Sequence, residues 1–166
     1  MSVHVVDRKP SKRQAIVSAY ELWDMMREFM QRNFGIKDLR SFANNKFVVS
    51  RSETDDYHRF IYLLHTHKIE IDKNCSLIVS YLTAADSIYP TTIGEYYKRR
   101  DYQNHAKVYC RNISQVHFQQ MISDFKFDIN DFERYVDAIR KEIGLINEWQ
   151  KRDLSFKKRL KGADPK

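Results

Sequence analysis

The 166-residue sequence has only four Gly and three Pro, too few for the closely spaced turns of a β-rich fold. It has two cysteines, Cys75 and Cys110. With no recognisable signal peptide, these predict a reducing compartment and a cytoplasmic location. No run of about 18 apolar residues occurs, so no membrane-spanning helix is expected. Glycine-rich phosphate loops and nucleophile elbows are also missing. What remains is a globular balance, 42% hydrophobic and 31% charged, in a chain of 20.0 kDa. One domain of this size buries roughly two-thirds of its unfolded surface and closes a core without disulfide or metal.

The net charge of +7 is unevenly spread. Residues 1–13 carry +3 and residues 151–166 carry +5, which leaves the long middle at −1. A nearly neutral body with two basic ends reads as a folded unit with anion-seeking termini.

Apolar spacing predicts helices throughout. Ser11 with Gln14 three residues on fits a capping box. Ile16, Ala19, Leu22, Met26, Phe29 and Met30 then follow at helical intervals up to Gly35. Residues 36–53 are irregular, with a short helix around Leu39 and Phe42 and an extended stretch at Phe47–Val49. A second helix is expected from Asp55 to Ile88, with Ile61, Leu64, Ile71, Cys75, Ile78, Leu82 and Ala85 inward and a polar weak point at 65–68. Tyr89-Pro90 stops it. A third helix opens on the capping box Thr92-Ile93-Gly94-Glu95 and runs to about Asp124, with Ile93, Tyr96/Tyr97, Ala106, Tyr109/Cys110, Ile113 and Val116 on its inner side. A fourth starts at Asn130 with the stripe Phe132, Val136, Ile139, Ile143, Ile146 and Trp149. Short links at 89–91 and 125–129 force neighbouring helices to run antiparallel. The predicted fold is all-α: an up-down antiparallel four-helix bundle over 11–156, with a longer irregular link between helices 1 and 2. An arm, 1–10, precedes it and a basic tail, 157–166, follows.

Catalytic and metal constellations are not recognisable. Di-metal bundles need inward Glu residues plus two Glu-x-x-His motifs, and the nearest spacing is a single Asp55-x-x-His58. His65 and His67 lie two apart, on different sides of a helix. No cofactor, metal or catalytic residue is therefore assigned, and the chain reads as a binding protein.

The segment Tyr96-Tyr97-Lys98-Arg99-Arg100-Asp101-Tyr102 mixes aromatic and cationic side chains within two helical turns. Lys107 and Arg111 continue one cationic stripe from Arg100. Repeated cations of this kind suit phosphate contacts. For Arg99 and Arg100, ion pairing inside the bundle is the equal alternative. Lys151, Arg152, Lys157, Lys158, Arg159 and Lys161 form the second candidate surface.

Three stretches together carry a resemblance. They are Arg8-Lys9-Pro10-Ser11-Lys12; Ala84-Ala85-Asp86-Ser87-Ile88-Tyr89-Pro90-Thr91 leading to Arg99-Arg100-Asp101-Tyr102; and Glu142-Ile143-Gly144-Leu145-Ile146 before the basic tail. In this order the chain resembles the four-helix proteins similar to Avd, the accessory variability determinant of diversity-generating retroelements. The same superfamily includes intervening-sequence proteins of bacterial ribosomal RNA genes. The resemblance implies a barrel-like homopentamer with a basic surface. It also implies association with a reverse transcriptase and its template RNA, or a cDNA/RNA hybrid, during mutagenic copying. It implies no catalytic residue. A helical assembly or adaptor protein, or an intervening-sequence protein with no reverse-transcriptase partner, is the alternative.

Overall fold

The computed structural model describes residues 13–46 and 53–162, and four long helical arms pack into an up-down bundle. Helix α1 spans Gln14–Gln31, the short α2 Leu39–Lys46, and α3 Glu53–Asp86. The third arm is composite: α4, Ile93–Asn112, passes through a π-helical turn, Ile113–Phe118, into α5, Gln119–Phe125. Helix α6 spans Glu133–Gly162. Helices α1 and α4 each pack against both α3 and α6, so the four arms close around one core. No helix among the described residues is long and apolar enough to cross a membrane.

Capping explains several boundaries. Thr92 and Glu95 form the reciprocal capping box at the start of α4. Helix α6 begins later than the spacing predicts. Asp128, not Asn130, makes the local cap by accepting the Asn130 N–H, and Ile129–Phe132 form a 3-10 turn before the α-helix starts. The expected Ser11 cap and the extended stretch at 47–49 lie outside the described residues; α1 has Arg13 at its N-cap position. After α1 the chain turns through Asn33, Phe34 and Gly35, all at positive φ, with Gly35 at +90°. This conformation is open to glycine but strained for Phe34. Phe34 is held there by burial against Phe29 and Phe127.

The polar stretch 65–68 does not interrupt α3. Its side chains find partners instead: Lys68 donates to Asn33 Oδ1, and His67 Nδ1 lies 3.2 Å from His117 Nδ1. The π-turn that carries His117 also corrects the expected inner face. Its wider winding shifts the inward face, so Val116 is exposed and Phe118 is buried. Ile93 and Tyr97, also expected inside, are exposed in the first turns of α4, where Tyr96 takes the inward place.

The two ends of the bundle differ chemically. At one, Phe29, Phe118, Phe127, Phe132 and Tyr135 pack ring to ring. At the other, Trp149 is fully buried with the guanidinium groups of Arg13 and Arg99 over its ring, 4.1 and 5.0 Å from the centroid.

Candidate nucleic-acid interface

Helices α4 and α6 meet along a polar seam. Arg99 reaches Asp153, Gln150 donates to Asn104, and Lys107 donates to Asn147 and Gln150. Positions rise along α4 as they fall along α6, as antiparallel neighbours must.

The seam separates the predicted cations. Arg99 is a correction: it is buried and forms the internal ion pair, not a nucleic-acid contact. Its Nε and Nη2 donate to the two Asp153 oxygens at 2.7 and 3.0 Å. Its Nη1 donates to the carbonyls of Ile88 and Ala85 at 2.6 and 3.3 Å. One guanidinium thus adds to the single long bond from the Ile88 N–H that the Ala85 carbonyl accepts at 3.3 Å, takes up the Ile88 carbonyl just past α3, and clamps three helical arms together. Gln103 donates to the same carboxylate at 2.9 Å. The requirement for burial next to the α3 terminus decides the position in favour of a fork-shaped, permanently charged side chain.

Arg100, Lys107 and Arg111 follow at spacings of seven and four, on one flank of α4 beside α6. Arg100 donates to the Tyr96 hydroxyl at 3.4 Å. Lys107 is pushed below the ordinary lysine pKa, first by partial burial and then by the charges of Arg111 and Arg100. Among the described residues no ion pair involves any of the three. A row of mutually repelling cations left without carboxylates favours an incoming anion. Lys98 is exposed but sits roughly 200° around the helix from Arg100, away from this row.

Helix α6 does not end at residue 156. Its last turns carry the remaining candidates as part of the helix, up to Gly162. Lys157 lies 5.5 Å from the Tyr97 ring centroid, with Lys161 one turn further on the same side. Arg152 and Arg159 share another flank, where Arg159 lies over Tyr89 and Phe156. Lys151 and Lys158 share a third, and Lys151 pairs with Glu148 at 2.8 Å. The acid within this stretch, Asp153, is occupied by Arg99. Arg100, Lys107 and Arg111 of α4 and Lys157 and Lys161 of α6 therefore flank the same α4–α6 seam, the candidate groove.

The sequence reading missed the interior partners Asp153, Gln103 and Gln150, and it missed Glu142. Their signal was present: Asp153 falls seven after Ile146 and four after Trp149, so it belongs to the apolar stripe. Glu142 falls three after Ile139 and is likewise fully buried. Neither of its carboxylate oxygens makes a hydrogen bond of regular geometry, and the Ser18 hydroxyl offsets only part of the burial. Burial pushes its pKa up to about 7, against the pull of Ser18 and Lys141, while Glu21 adds to the rise. The thiols nearby are held in the protonated form: burial raises Cys75 to about 12 and Cys110 well above its ordinary value. No three His, Cys, Asp or Glu side chains among the described residues converge as metal ligands would. Comparison with protein families, with curated proteins and with solved structures finds no match to this chain.

Proposed function

We propose that the protein is a non-catalytic nucleic-acid-binding bundle that holds phosphates along the α4–α6 groove. The supporting observation is the row Arg100, Lys107 and Arg111, unpaired with any acid among the described residues and continued by the basic end of α6. The Avd-like sequence features extend this role to an accessory subunit that engages a reverse transcriptase and its template RNA. The charged groove suits that task, because phosphate contacts confer affinity without sequence selection.

Replacing Arg100, Lys107 and Arg111 with Ala, and separately Lys157, Lys158, Arg159 and Lys161, should weaken RNA binding across sequences. For every phosphate left without its cation, the slope of log affinity against log salt should flatten by about 0.9 for a duplex or about 0.7 for a single strand. Fluorescence anisotropy at several salt concentrations checks this, with thermal melts showing that the fold persists. Wild-type affinity and slope in both variants would leave the assembly or adaptor role in place of nucleic-acid binding. Co-purification of a reverse transcriptase tests the partner independently.

A further inference from the structure

Resting on the proposed nucleic-acid role, we infer that the groove takes a single strand, with unpaired bases stacked on Tyr97 at its α6 end and on Tyr89 where the strand rounds that end to the Arg159 flank. Both rings are exposed, Tyr89 by 66% and Tyr97 by 45%, yet both are positioned from below. Tyr89 meets Phe156 edge-on at 5.2 Å and 85°. Tyr97 meets Tyr96 at 5.3 Å and 70°, and Tyr96 is itself buried. Edge-on support fixes a ring while leaving a π-face open to solvent.

Each ring also has a cation over one face, so a base stacks on the other. The Arg159 guanidinium lies 6.0 Å from the Tyr89 centroid, and Lys157 Nζ lies 5.5 Å from that of Tyr97. Phe156 and Lys157 are consecutive on α6, so the two rings stand at one level of the helix, Tyr97 on the groove side and Tyr89 on the Arg159 flank. Tyr97 is one turn before Arg100, which places that ring at the head of the cationic row.

This alternation of open aromatic faces and cations matches the needs of an unpaired strand, whose bases have free faces and whose phosphates follow each base. A duplex buries its base faces in its own stack and would use only the cations. Exposure alone does not make such a platform. Tyr62 is 69% exposed, but among the described residues no cation lies over it.

The test compares an unstructured RNA of about 20 nucleotides, single-stranded DNA of the same sequence, and the RNA duplex, titrated against wild type, Tyr89→Ala, Tyr97→Ala and the corresponding Phe variants. Each Ala variant should lose about five-fold or more in affinity for both single strands, because base stacking on the ring is common to RNA and DNA. Its salt slope and duplex affinity should stay at the wild-type values, and the Phe variants should bind as wild type does. Ala variants that melt normally and still bind single strands at full strength would overturn the stacking inference while leaving the groove as a phosphate site. So would duplex RNA binding more tightly than single strands, or binding confined to RNA. Absence of salt-dependent binding to all three probes would instead overturn the nucleic-acid role itself.

Discussion

Glu142 places an only partly compensated cost inside the bundle. Holding a carboxyl at about 7 against an ordinary 4.5 corresponds to about 3 kcal/mol for ionising it in the folded state. Between these values the folded chain keeps a proton that the unfolded chain releases, so this contribution to stability falls as pH rises through the interval. Ser18 and Glu21 of α1, Cys110 of α4 and Lys141 of its own helix are the groups that interact with it. Glu142→Gln should therefore be more stable than wild type by about 2–3 kcal/mol near pH 8 and similar to it near pH 4. Urea unfolding at both pH values checks this, and equal differences at the two would contradict it. His67 and His117 act in the opposite sense. Burial holds both below 6.5, so their neutral forms support the fold above that value and the support fades as pH falls. Both proteins carry the two histidines, so comparing the variant with wild type isolates Glu142.

At the scale of elements, helix α6 joins the core to the candidate surface. Ile139 and Trp149 are fully buried on its inner face, while its last three turns present the cations. Ile139→Ala should cost about 2–5 kcal/mol and Trp149→Ala about 3–5 kcal/mol, read as lowered denaturant midpoints at unchanged slope. Unshifted midpoints would put these side chains outside the core. Both residues were legible from sequence because they repeat at helical spacing among apolar neighbours. The pairing of Arg99 with Asp153 was not, because partners 54 positions apart share no local pattern. Asp153 showed its place on the apolar stripe and Arg99 stood open between an internal ion pair and a phosphate contact, but neither position names the other. The π-turn was equally hidden: apolar spacing through Ile113 and Val116 fits a regular α-helix, and only the packing of Phe118 and His117 against other helices rotates the chain. Of the cationic row, the spacing of Arg100, Lys107 and Arg111 was visible in advance, whereas its position beside α6 required the register of the seam.

At the scale of the whole molecule, charge and aromatic burial are segregated along the bundle axis. One end is closed by stacked rings, and the other by Arg99, Asp153 and Trp149 beneath an exposed layer of cations. Aromatic side chains outside the predicted core stripes are partly absorbed into the fold. Tyr135 is buried against Phe29, and Tyr81 stacks with His105 and Tyr109. Tyr20 and Tyr62 remain, 51% and 69% exposed. Two exposed rings on separate helices are ordinary for a monomer surface, so packing alone does not require assembly, and the proposed homopentamer rests on the Avd-like features. A pentamer would change the groove's behaviour, because five copies on one ring bind a long strand through linked sites and gain avidity over one copy. Light scattering at micromolar concentration should then give about five times the 20.0 kDa chain mass. Affinity for RNA long enough to bridge grooves should exceed that for an oligonucleotide spanning one groove by about 100-fold or more. A mass near that of one chain would remove the pentamer. The groove would remain, and RNA length would then alter affinity only through the number of overlapping sites.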